Sequence, residues 1–177
     1  TDSPFRAIAR GLGAALTVTE LVSAEGIVRM NRKTAELLRF TPAERPLAIQ
    51  IFGSSPVIMG EAAAAVSALG PDMIDINMGC PARRVCASGS GAAVLLDPDL
   101  AFRIAEAVVK GTALPVSAKI RIGWDQDRLT YREIVEALNA AGISMITVHG
   151  RTRAQQYSGL ADWHVIKEIC APSPVTV

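Results

Sequence analysis

A thiol, two cations, an amide and an imidazole stand at or near the ends of short apolar runs, and each is a residue type that can handle protons or anions. Cys80 lies in Asn77-Met78-Gly79-Cys80-Pro81, directly after the apolar run Asp72-Met73-Ile74-Asp75-Ile76. Gly and Pro break a strand and turn the chain, so the thiol is held on a turn. With Arg83 and Arg84 close by, it is a candidate proton donor or nucleophile. The competing reading is a small buried hydrophobe, the common fate of a free cysteine. The two arginines favour a thiolate, whereas a proton donor must stay a thiol, and both forms remain open.

Lys119 and Arg121 lie in Val116-Ser117-Ala118-Lys119-Ile120-Arg121 and share one face of a strand by period two. Charges are rare in apolar strands because an unpaired buried charge is costly. An ion pair with a core carboxylate such as Asp75 is the structural alternative. Gln50 interrupts Leu47-Ala48-Ile49-Gln50-Ile51-Phe52, where a buried amide needs partners, either backbone or the polar edge of a planar ligand. His149 ends Met145-Ile146-Thr147-Val148 and precedes Gly150-Arg151-Thr152-Arg153, which suits an anionic ligand. Glu20 closes a further run. Ser88-Gly89-Ser90-Gly91 is a glycine-rich turn without the lysine of a phosphate-binding loop.

These groups need elements to position them. Strand-like runs are expected at Ala15–Thr19, Leu47–Phe52, Met73–Asn77, Val116–Arg121 and Ser144–His149, with a sixth beginning at Pro174–Val177. They are short, apolar and rich in β-branched residues, as for parallel strands covered on both faces. Helices alternate with them: Asp2-Ser3-Pro4 to about Arg10, a region with a break from Ser23 to Leu38, Pro56 to near Gly70, Asp97-Pro98 to Gly111, Thr130 to before Gly142, and Asp162 through Ile169. Thr130 and Glu133 have capping-box spacing.

Such alternation makes an α/β fold with right-handed crossovers. A doubly wound sheet and a (β/α)8 TIM barrel both fit. The barrel is preferred because chemistry ends almost every strand, and because no G-x-G-x-x-G follows the first strand. A barrel needs eight strands and roughly 250 residues. With five strands and the start of a sixth in 177 residues, an incomplete barrel lacking its first and last strands is expected.

Composition narrows the class. Half the residues are hydrophobic, a fifth are charged and the net charge is +1, so there is no global basic signature for nucleic acid. Three cysteines without ligand spacing favour a reducing compartment, here the cytoplasm, over a disulfide framework, and no metal is expected. No apolar stretch reaches membrane-spanning length.

Taken as a set, the motifs resemble the tRNA-dihydrouridine synthase family. They are Thr1-Asp2-Ser3-Pro4-Phe5-Arg6, Thr19-Glu20-Leu21-Val22-Ser23-Ala24, Gln50-Ile51-Phe52-Gly53, Asp75–Pro81, Lys119-Ile120-Arg121, Val148-His149-Gly150-Arg151-Thr152, and Tyr157-Ser158-Gly159 with Ala161-Asp162-Trp163. They follow the family's order along essentially the whole chain, closest to the bacterial branch with the Asn-Met-Gly-Cys-Pro form.

The resemblance implies a partial FMN-binding barrel as the catalytic domain, spanning residues 1–177, with a helical tRNA-binding domain outside this chain, and a monomer when full length. It implies that NADPH reduces the flavin and that hydride passes to a uracil double bond in tRNA. By motif match Cys80 is the acid and Asn77 positions the uracil. Gln50, Lys119 and His149 contact the flavin, Arg151 is a weaker match beside them, and Arg83 and Arg84 meet RNA phosphates. Two alternatives stand: a flavin-dependent barrel reductase acting on a free pyrimidine or enone, and a non-catalytic RNA-binding relative.

Overall fold

The computed structural model describes residues 1–177 and contains one parallel sheet with helices on its outer face. In chain order the elements are α1 (Ser3–Gly11), β1 (Thr17–Val18), β2 (Val22–Ser23), α2 (Ala24–Val28), α3 (Arg32–Leu37), β3 (Leu47–Phe52), α4 (Pro56–Ser67), β4 (Met73–Met78), α5 (Arg83–Ala87), α6 (Pro98–Lys110), β5 (Val116–Arg121), α7 (Tyr131–Ala140), β6 (Met145–His149) and α8 (Trp163–Cys170). Short 3-10 turns occupy Pro42–Glu44 and Gly91–Leu96.

The strand order is β1-β3-β4-β5-β6, every pairing is parallel, and β2 continues along the same edge of β3 as β1. This is half of a barrel wall. The expected strand at Ala15–Thr19 pairs only over Thr17–Val18, and the chain leaves the ladder and rejoins it at Val22–Ser23, beyond the expected bounds. Thr19 Oγ1 fills the gap by accepting the Gln50 backbone N–H at 3.0 Å. The expected sixth strand forms only one bridge, Met145 with Thr176. The region from Ser23 to Leu38 divides into α2 and α3 at Met30, whose φ is +53°, and Asn31 caps α3 through Lys33 N–H.

Helix starts follow the sequence. Asp2, Ser55, Asp97 and Asp162 each cap the helix that follows by accepting backbone N–H groups. Thr130 departs from its expected role: its hydroxyl donates to Leu95 O at 2.7 Å and ties the start of α7 to the 3-10 turn at Gly91–Leu96 instead of capping.

Strand periodicity separates two faces. Ile49, Ile51, Ile74, Ile76, Met78, Ala118, Ile120 and Ile146 are buried against the outer helices, where α2, α4, α6 and α7 pack in succession. Gln50, Asp75, Asn77, Ser117, Lys119, Thr147 and His149 alternate with them and point to the concave face. The inner face is polar and forms a cleft.

α1 is fastened across this cleft by a buried ion pair, Arg6 Nε to Glu44 Oε2 at 2.6 Å, with the side chains 3% and 0% exposed. Ser3 Oγ, Thr41 N–H and Thr41 Oγ1 donate to the other carboxyl oxygen, and Arg6 also donates to Arg39 O. Burial pushes the Glu44 carboxyl up, but hydrogen bonds from Ser3, Arg6 and Thr41 outweigh it and hold the group below its ordinary 4.5. The sign follows: Glu44 contributes stability fully above 4.5 and loses it as pH falls toward the lowered native value. Glu44→Gln is expected to destabilise the protein by about 3–5 kcal/mol, because it leaves Arg6 buried without its counter-charge. It should also flatten the acid limb of stability against pH. Denaturant unfolding of both proteins from pH 3 to 7 checks both effects.

Candidate active site

The concave face encloses a cleft of about 710 Å³, within the usual range for small-molecule sites. Gln50, Asn77, Cys80, Lys119 and His149 all line it, with Asp75, Ser117, Arg121, Thr147 and Tyr157. Strand register makes the convergence. Gln50 pairs with Asp75 and Asp75 with Ser117, forming one layer. Asn77 pairs with Lys119 and Lys119 with Thr147 one layer higher, and Arg121 pairs with His149 above that.

The lower layers form a hydrogen-bonded chain. Ser117 Oγ donates to Asp75 Oδ1 at 2.5 Å, and Gln50 Nε2 donates to Asp75 Oδ2 at 2.6 Å. Asn77 Nδ2 donates to Gln50 Oε1 at 2.8 Å. Asn77 Oδ1 accepts the backbone N–H groups of Gly79 and Cys80 at 3.2 and 2.9 Å. The expectation that the Gln50 amide has a partner is met by side chains. Each of the two amides keeps one N–H for a ligand.

The Cys80 turn is held from three sides. Asn77 holds its N–H groups. Arg121 Nε donates to Gly79 O at 2.8 Å, while its Nη1 donates to Thr152 O and Gln156 O at 3.0 and 2.8 Å. Gln156 sits at φ +51°, unusual for a residue with a side chain. Gly91, at φ +59°, packs beneath: a Cβ there would lie 2.9 Å from Cys80 O and 2.8 Å from Val85 Cγ1. The Ser88–Gly91 turn is thus a close-packed support for the cysteine. The Cys80 side chain itself is partly exposed.

Electrostatics in the cleft are predominantly positive. Burial lowers Lys119 below its usual value, and Arg121 lowers it further. Asp75 does not form the ion pair suggested by the sequence, because its oxygens are engaged by Ser117 and Gln50. Burial pushes the Asp75 carboxyl up, against those two hydrogen bonds and the attraction of Lys119. His149 is lowered by burial first, then by Arg121, Lys119 and Arg151. Its Nε2 lies 3.3 Å from Arg151 Nη1, and its ring is 6.2 Å from that of Tyr157.

Arg151 stands behind His149 rather than on the cleft wall and donates to Gly159 O at 2.7 Å. Arg83 and Arg84 are exposed on α5, outside the cleft lining. Ser117, Thr147 and Tyr157 are not among the residues that the sequence marks as functional. Ser117 and Thr147 carry a legible signal, since they lie at period two from Lys119 and in register with it. Tyr157 belongs to the motif Tyr157-Ser158-Gly159, but a loop brings it to the cleft, so strand periodicity carries no signal for it. No group of three or more His, Cys, Asp or Glu side chains is arranged to hold a metal. No helix is long and apolar enough to cross a membrane.

The chain is a parallel α/β half-barrel whose concave side carries a thiol, two cations, a carboxyl group and an imidazole in one cleft. All 177 residues match the family model described as dihydrouridine synthase (Dus). The chain is 44% identical to a probable tRNA-dihydrouridine synthase of Rhodobacter capsulatus, over 100% of this chain and 55% of that protein. It is 41% identical to tRNA-dihydrouridine synthase B of Pseudomonas aeruginosa, over 96% of this chain and 51% of that one. The chain belongs to the dihydrouridine synthase family. It spans about half the length of the curated relatives it matches. Among solved structures, phosphonopyruvate hydrolase in complex with oxalate and Mg++ superposes with a TM-score of 0.59 at 16% identity, covering 100% of this chain and 63% of that one. That likeness concerns the fold alone.

His149 should titrate with a midpoint below the ordinary 6.5, because three cations and burial oppose its imidazolium form. The imidazole proton shifts followed by NMR from pH 4.5 to 8 give the midpoint. A value at or above 6.5 would contradict the described surroundings.

Proposed function

We propose that the protein carrying this chain is a tRNA-dihydrouridine synthase that reduces the double bond of a uracil base in tRNA, with FMN as cofactor and NADPH as reductant. One observation carries the reading: a partly exposed thiol on a braced turn shares a single cleft with a spare amide N–H, a lysine amine and an imidazole. Family membership supplies the reaction class.

The residues present fit a planar, anionic, hydrogen-bonding group. Gln50 offers its remaining N–H to a polar ring edge. Lys119 has no carboxylate partner and can stabilise negative charge there. His149 offers a ring nitrogen for one hydrogen bond, and Arg151 behind it strengthens the positive field. When bound, FMN reduced by NADPH supplies the hydride.

Cys80 then supplies what the cofactor does not. Hydride adds to one carbon of the uracil double bond, and the Cys80 S–H protonates the neighbouring carbon. The thiolate that remains is reprotonated from solvent. Asn77, fixed by its bonds to the turn and to Gln50, has one N–H left to orient a base. A base within folded tRNA must be extruded to reach such a cleft. The exposure of Arg83 and Arg84 on α5, next to the cysteine turn, supports assigning them to RNA phosphates.

The test uses the full-length protein with FMN, NADPH and unmodified tRNA, with dihydrouridine quantified by mass spectrometry. Product is expected from the wild type. Cys80→Ala should lose about 10²–10⁴-fold in turnover, the usual contribution of a positioned proton donor, while retaining flavin. Bound flavin without product on tRNA would overturn the reading in favour of a reductase of free substrates.

A further inference from the structure

The cleft contains a carboxyl group that the proposed chemistry does not use. Asp75 is 5% exposed, lies below the layer of Lys119, and is reached only by Ser117 Oγ and Gln50 Nε2. We propose that Asp75 is a positioning residue: it fixes the hydrogen-bond direction of the Gln50 and Asn77 amides and, through them, holds the Cys80 turn.

Donors and acceptors decide the orientation of each group. A primary amide has two chemically different ends, and in a crowded site a flip exchanges them with little change in shape. Gln50 lies between Asp75 and Asn77, so its orientation is decided by what those neighbours offer. Asp75 presents an accepting oxygen to it, and only the Gln50 NH2 group answers that oxygen. Gln50 Oε1 therefore faces Asn77, whose NH2 group answers it. Asn77 Oδ1 is thereby turned toward the backbone, where the N–H groups of Gly79 and Cys80 have only hydrogens to give. Every contact from Ser117 to Cys80 runs donor to acceptor with no clash of like ends. Reversing either amide alone would set oxygen against oxygen or N–H against N–H in a buried layer, which costs a full unsatisfied partner.

This directional chain has a signed consequence. Asn77→Asp keeps an acceptor for the turn but places Gln50 between two carboxyl groups, and its single NH2 end cannot serve both. Adding Asp75→Asn relieves the conflict. Gln50 can then reverse, donating to the new carboxylate at position 77 and accepting from the new amide at position 75, whose oxygen still accepts from Ser117. The carboxylate has moved along the chain and every contact is again satisfied. A merely structural role for Asp75 makes no such prediction, since two buried substitutions would then each do independent damage.

The role of Asp75 rests on the reading of Cys80 as proton donor only for its consequence in turnover. Its test has readouts that do not depend on activity. In the full-length protein, hydrogen exchange at the Gly79 and Cys80 amides and the rate of Cys80 alkylation by iodoacetamide are measured for wild type, both single variants and the double variant. Asn77→Asp should raise amide exchange by about tenfold or more and shift the alkylation rate, a size ordinary for coupled neighbours. The double variant should return exchange to within about threefold of wild type. Additive or greater damage in the double variant overturns the proposal. Should Asn77→Asp fail to fold, recovery of folded protein on adding Asp75→Asn is the same rescue, and a double variant equally unfolded overturns it. Dihydrouridine assays run alongside separate the two ideas. An inactive wild type with intact rescue removes the proposed reaction, whereas an active wild type without rescue removes the role of Asp75.

Discussion

Parallel strand register is the constraint on which the site depends. Gln50, Asp75 and Ser117 meet in one layer, and Asn77, Lys119 and Thr147 in the next, because β3, β4, β5 and β6 pair without a slip. A shift of one residue in β4 would put Ile74 and Ile76 into the cleft and drive Asp75 and Asn77 into the helices. Two opposing demands hold the register. The outer positions are isoleucine, alanine and methionine, which gain by leaving water. The inner polar groups gain only if they meet each other, which they do through a chain of bonds from Ser117 to Cys80. Hydrophobic burial sets which face turns inward, and polar satisfaction selects the pairing.

The layers would still leave the thiol on a loose turn if loops alone carried it. Arg121 prevents this. Its guanidinium reaches from β5 to the Gly79 carbonyl and to the carbonyls of Thr152 and Gln156, so the loops after β4 and β6 share one cation. Its forked, planar donors suit three carbonyls at once, a task a lysine ammonium would meet with less geometric control. Its place at the end of β5, one period beyond Lys119, gives it the reach. Gly91 completes the support from below, where any side chain would collide with Cys80.

Much of this was legible in the residues. Alternation of apolar runs with capped helices pointed to the parallel α/β class, and the polar residues in or after those runs marked Gln50, Asn77, Cys80, Lys119 and His149, all of which line one cleft. Less legible were features decided by distant contacts. The split of the first strand depends on Thr19 substituting for a backbone acceptor toward Gln50. Thr130 has the spacing of a cap but gives its hydroxyl to Leu95. Glu44 carries no mark in the sequence, yet it is fully buried, paired with Arg6 from α1. Arg83 and Arg84 follow the cysteine in sequence, yet a turn of helix carries them outward to solvent. Local pattern specifies elements and faces; it does not specify which loop will bring a partner from far along the chain.

The charge distribution has a chemical consequence of its own. Lys119 and Arg121 face the cleft and Arg151 stands just behind it, while the one carboxyl group on the wall, Asp75, is engaged below by Ser117 and Gln50. The field at the level of His149 is therefore positive, and with burial it lowers the pKa of the imidazole. A site biased this way favours ligands that bring negative charge or develop it during reaction, and at low dielectric the preference is stronger than in water. Cys80, partly exposed on its braced turn, lines the same cleft, so the positive field set by Lys119 and Arg121 acts on whatever ligand reaches the thiol.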